Sequence, residues 1–226
     1  MRHAFTIVEV VIATAIAVII AAISIPSYSN YALQQETMTN VQTVNDCLQR
    51  AHQAAVAINA GDSTYRYTEA LINSYPDTQK VTCTVNYLST KFQVASSGAT
   101  TAMPATDTSL IRQDEVVSVD NLMIQDASAF GASCTYIYPQ QPGGSVAIYF
   151  GVLEQGVPVA FSCINPGGTY TTVTANSNSP YYVPLGRGFE GLIHFVGANT
   201  YTGANHFKGN SYLRWDRQGF SQTSYN

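Results

Sequence analysis

The chain has 226 residues, of which 46% are hydrophobic, enough for a domain with a packed core and too many for a disordered chain. Only 11% of the residues are charged and the formal net charge is -4, so the composition argues against wholesale attraction to nucleic acid or to an acidic membrane surface. The charge is unevenly placed: residues 186–226 carry Arg187, Lys208, Arg214 and Arg217 against Glu190 and Asp216, leaving the acidic excess in the remainder.

The first element is apolar. From Phe5 to Pro26 the 22 residues "FTIVEVVIATAIAVIIAAISIP" contain one charge, Glu9. As a helix this run would be about 33 Å long, against a bilayer core of ~30 Å, and it is expected to cross a membrane. A cleaved secretory signal has an apolar core of about 7–15 residues followed by a small-residue cleavage site. Here only Met-Arg-His-Ala precedes the run, so the apolar segment is expected to stay with the mature protein. A carboxylate at that depth costs roughly 2.5–3.5 kcal/mol on insertion scales, and Glu9 therefore reads as functional.

Beyond Pro26 the composition turns polar while a helical period persists. Leu33, Val41, Val44, Leu48, Ala51, Ala55 and Ile58 fall on one stripe, and Gly61 followed by Asp62 supplies a stop. The expectation is one helix over residues 5–60, its apolar half spanning 5–26 and its amphipathic half laid on a head of residues 61–226.

The N-terminus resembles that of the type IV pilins and pseudopilins. Counted from Phe5, Thr6 is second, Glu9 fifth and Pro26 twenty-second, and Tyr28 and Tyr31 occupy the family's aromatic positions. Ala4 and Val18 stand where the family usually has glycine. The resemblance implies an α+β, pilin-like fold in which a long N-terminal helix packs on a mainly antiparallel sheet. It also implies that residues 1–4 are a leader, cut between Ala4 and Phe5 by a prepilin peptidase that methylates the new amine. Glu9 would then pair with the N-terminal amine of a neighbouring copy. Unit charges ~4 Å apart attract by about 4 kcal/mol at an effective dielectric near 20, of the order of the insertion cost.

The head reads as β. "KVTCTVNYL", "CTYIYP", "SVAIYFGVL", "VPVAFSCI", "GLIHFVG" and "SYLRW" are short runs rich in β-branched and aromatic residues. The turns "QQPGGS" and "EQG" predict a three-stranded meander from Cys134 to Cys163. "ASSGATTAMPATDTS" reads as a long loop. Cys47, Cys83, Cys134 and Cys163 show no metal-ligand spacing and are expected to form two disulfides in an exported domain. Four cysteines allow three connectivities; Cys47 with Cys83 and Cys134 with Cys163 is the favoured one.

Catalytic constellations are absent from the sequence. His3, His52, His194 and His206 are scattered, and "GRGFEG" lacks the strand-to-helix context of a nucleotide loop. Asp120 and Asp126 in "DNLMIQD" do not have calcium-loop spacing, so neither a metal nor a cofactor is expected. In the tail, Arg187, Lys208, Arg214 and Arg217 lie among Tyr201, Phe207, Tyr212, Trp215 and Phe220, a combination that single-strand binding uses; the competing reading is a last sheet with an aromatic core.

The expected function is therefore non-enzymatic. The resemblance implies a structural subunit of a type IV pilus, held in the bacterial inner membrane as a precursor and then assembled with copies of itself into an extracellular filament. Such filaments serve adhesion, motility or DNA uptake, with the assembly machinery, DNA or host surface ligands as further partners. The alternatives are a minor pilin, a type II secretion pseudopilin, or a DNA-binding pilin of a competence system.

Overall fold

A computed structural model of the chain describes residues 6–58, 64–65, 67–75, 77–89, 110–129, 132–135, 144–152, 155–164, 170–174, 191–197, 210–216 and 219–225. One helix, α1 (Ile7–Ala57), precedes eleven strands among these residues. The strands are β1 (Tyr67–Tyr75), β2 (Lys80–Leu88), β3 (Leu110–Asp120), β4 (Leu122–Ala129), β5 (Ala132–Thr135), β6 (Gly144–Gly151), β7 (Pro158–Ile164), β8 (Tyr170–Thr174), β9 (Gly191–Gly197), β10 (Asn210–Asp216) and β11 (Gly219–Tyr225).

The strands form two sheets. The first has the order β3-β2-β1-β6-β7-β8 and the second β11-β10-β9-β4-β5, with antiparallel pairing throughout the described strands. The chain passes from the first sheet to the second between β3 and β4, where Asn121 is the single intervening residue and takes φ 56°. Asparagine tolerates this left-handed conformation better than most residues. Its side-chain amide donates to Glu36 Oε1 at 2.8 Å, and the neighbouring Asp120 carbonyl accepts from Asn40 Nδ2 at 2.8 Å. The crossover is thereby tied to α1.

A single apolar core lies between the sheets and α1. The stripe residues Val41, Val44, Leu48, Ala51 and Ala55 are fully buried, against Ile72, Cys83 and Phe150 of the first sheet and Ile193, Phe195 and Leu213 of the second. Alternation explains the choice of face: along β9, Ile193 and Phe195 point inward and His194 between them points outward. Phe161 of β7 stacks on Trp215 of β10 at 5.7 Å between ring centroids, joining one sheet to the other. Gly191 in β9 lies directly against the Trp215 indole, in the space a Cβ would need. Gly191→Ala is expected to cost about 1–3 kcal/mol through overpacking, measured as a lower urea midpoint with an unchanged m-value.

The expected α+β, pilin-like fold with a membrane-anchoring helix half is corrected by this architecture. The described chain is predominantly antiparallel β, and its strands make two sheets facing a shared core instead of one head sheet carrying a helix. Among the described residues no helix is long and apolar enough to cross a membrane. The helix α1 has 51 residues and continues through Pro26.

The meander expected from Cys134 to Cys163 is also corrected. β6 and β7 do form a hairpin, through a turn in which Gln155 has φ 55° and Gly156 φ 81°. β5, however, pairs with β4 in the other sheet. Nearness in sequence suggested a third meander strand, whereas β1 occupies that edge of β6 over eight residue pairs.

Candidate functional site

The N-terminal end of α1 is built by a capping box. The Thr6 backbone N–H donates to Glu9 Oε2 at 2.8 Å, the Thr6 hydroxyl donates to the same oxygen at 2.9 Å, and the Glu9 N–H donates to Thr6 Oγ1 at 3.3 Å. Glu9 thus satisfies a backbone donor that the helix start would leave orphaned, and its charge lies at the positive end of the helix dipole. The T-x-x-E pattern ahead of an apolar run is a capping signature readable in the sequence. Ala4 and Phe5 lie outside the described residues, as does the proposed cleavage point. Pro26 lies inside the helix.

Around this end the helix surface is apolar on every side. Ile7, Val8, Val10, Val11, Ile12, Ile16, Val18, Ile19 and Ile20 are between 52% and 84% exposed. Residues at successive positions of a 3.6-residue helix point in different directions, so exposure at 7, 8, 10, 11 and 12 means that no side is covered by the described head. Farther along, Tyr28 and Tyr31 are also exposed.

All four cysteines are oxidised. Cys47 on α1 is bonded to Cys83 on β2, and Cys134 on β5 is bonded to Cys163 on β7. The first bond fastens the helix to the first sheet, and the second fastens the two sheets to each other. Both pairs are buried in the core.

The outer face of the second sheet carries a polar cluster around His194. His194 Nδ1 lies 3.0 Å from Asp126 Oδ2, and its Nε2 lies 3.1 Å from Asn210 Oδ1. The His194 ring stacks on Tyr212 at 4.2 Å with an interplanar angle of 13°. A carboxylate orienting an imidazole is half of an acid–base dyad, but the second nitrogen meets an amide oxygen where a nucleophile would have to stand. The arrangement ties β4, β9 and β10 together across the sheet.

Asp120 and Asp126 are not brought together. Asp120 ends β3 in the first sheet, with Lys80 Nζ 3.3 Å away, and Asp126 belongs to the second. No group of three or more His, Cys, Asp or Glu that could hold a metal ion occurs among the described residues.

Of the tail cations, Arg187, Lys208 and Arg217 lie outside the described residues. Arg214 is exposed on β10. The rings beside it are committed to the fold: Trp215 is fully buried, and one face of Tyr212 is covered by His194. Stacking bases on these rings would require the sheet to give up its own contacts.

One buried carboxylate has no mark in the sequence. Glu69 on β1 is 5% exposed and accepts from Asn86 Nδ2 on β2 at 2.7 Å, on the face away from α1. Nothing in "YTEALINSY" marks that glutamate as buried, because the strand itself is not evident from its periodicity.

No protein-family model, curated protein or solved structure matches the chain. The functional reading therefore rests on the residues and their geometry.

Proposed function

We propose that the chain is a structural subunit of a type IV pilus or a closely related filament, assembled through the first part of α1 with copies of itself. The observation that carries this reading is the apolar surface from Ile7 to Ile20, exposed on all sides of one helix. Soluble monomers rarely leave so continuous an apolar surface open, and several helices of this kind packed side by side bury it. The spacing of Phe5, Glu9 and Pro26 supports the same reading. Before assembly the surface needs lipid around it, which supports a precursor held at the inner membrane and an assembled subunit outside the cell. Oxidised cysteines suit that final compartment.

The reading is tested on cells that produce the chain. Material sheared from the cell surface should contain filaments by electron microscopy. Peptides from them should begin at an N-methylated Phe5. Filaments lacking this chain, or containing it with Met1 intact, would overturn the subunit role or its processing respectively.

A further inference from the structure

A second feature stands apart from the helix start: an imidazole wedged where the end of α1 meets both sheets. His52 of α1 lies 5.8 Å from the Phe150 ring of β6 and 6.4 Å from the Phe220 ring of β11, both edge-to-face. Phe150 and Phe220 are themselves 5.8 Å apart, so the three rings close a triangle across helix, first sheet and second sheet. The β6–β7 turn presses on the same place. A Cβ on Gly156 would stand 3.1 Å from His52 Cδ2 and Nε2, and 2.6 Å from Val56 Cγ2.

We propose that His52 is an acid-sensitive latch that holds the last turns of α1 against the two sheets. As an uncharged ring it fills the triangle like a third aromatic. A protonated ring carries a charge that needs water or a carboxylate beside it, and the half-buried His52 keeps only part of its contact with water. The surroundings offer no carboxylate among the described residues. One helical turn away on α1 are Leu48, Gln49, Ala55 and Val56; Asp46 and Arg50 are on its exposed side. β6 contributes Phe150, β11 contributes Phe220, and the turn contributes Gly156. On β1, Thr68 and Ala70 are uncharged, and Glu69 is on the opposite face. Glu154 lies outside the described residues.

Burial holds the His52 imidazole below its ordinary value of 6.5. The unfolded chain consequently takes up the proton first as the pH falls. The contribution of His52 to stability is present above about pH 6.5 and is lost progressively below it. Protonation should release residues 52–57 from the sheets before the rest of the core opens.

The test compares the full chain in detergent with His52→Phe and His52→Gln between pH 7.5 and 5.5, using urea midpoints and amide hydrogen exchange. In the wild type the midpoint should fall and the amides of residues 52–57 should exchange at least several-fold faster at the lower pH. Both changes should be absent from the Phe and Gln variants. Parallel acid sensitivity in wild type and variants would overturn the latch. So would a wild type more stable at pH 5.5, since the aromatic faces would then be binding the imidazolium. If neither variant folds, titration of the His52 ring by NMR decides: a midpoint at or above 6.5 rejects the proposal.

Discussion

Glu9→Ala should abolish filaments while leaving the head folded. The carboxylate makes its hydrogen bonds at the start of α1, to Thr6, and the first buried stripe residue of the head, Val41, is more than thirty positions farther along the helix. Loss of the box should therefore fray the first turn alone and leave the urea midpoint of the head unchanged. Assembly is a separate matter, because many copies must place this end in register. Two further variants separate the cap from the charge. Glutamine at the third helical position still closes a capping box, so Glu9→Gln keeps the helix start and removes only the charge. If pairing with a neighbouring amine sets the register, Glu9→Gln assembles as poorly as Glu9→Ala. If the cap is the whole role, Glu9→Gln forms filaments and Thr6→Ala does not. Filament yield by shearing and immunoblotting reads all three, and normal yield from Glu9→Ala would rule out both roles.

Removing either disulfide is the second large effect. The bonds span 36 and 29 residues in sequence, for which loop-closure entropy gives about 4 kcal/mol each in the unfolded chain. Their structural consequences differ. Without Cys47–Cys83 the helix loses its covalent hold on β2, and hydrogen exchange should rise along α1 from Thr37 to Ala55. Without Cys134–Cys163 the two sheets are free to part at β5 and β7, and protection should fall in those strands. Paired Cys→Ala variants avoid leaving a lone thiol. A loss of 2–4 kcal/mol in urea unfolding is expected for each pair, and a change below about 0.5 kcal/mol would contradict the assigned role.

Some of this was legible in the chain itself. The helical stripe from Val41 to Ala55 is a spacing of threes and fours, and those residues are buried. "KVTCTVNYL", "SVAIYFGVL", "VPVAFSCI", "GLIHFVG" and "SYLRW" all contain strands, because β-branched and aromatic residues concentrate there and turn residues bound them. The even count of cysteines and the absence of ligand spacing pointed to two disulfides, and the favoured pairing is the one formed. Other elements had no such mark. β1, "YTEALINSY", mixes Glu, Ala and Leu with Tyr and Ile, and only its position between β2 and β6 makes it a strand. β11, "GFSQTSY", is polar and is held by pairing along β10 and by Gln222, whose amide donates to the Met38 carbonyl at 2.9 Å.

The candidate site divides in the same way. Glu9 stood out because a lone charge in an apolar run is costly wherever the run ends up, and Thr6 three residues before it was equally available to reading. His52 and His194 looked alike in the sequence, two isolated histidines. Strand pairing set His194 between Asp126 and Asn210, and the meeting of helix with two sheets set His52 between two phenylalanines.

The sequence by itself determined the long helix, its apolar end, the stripe that is buried and the oxidised cysteines, since each follows from local spacing or composition. The tertiary structure alone decided that the strands divide into two sheets and that β5 leaves its sequence neighbours for the other sheet. Strand partners are chosen by pairing and packing between distant residues, and a pattern of period two records which face a residue takes but not which strand lies beside it.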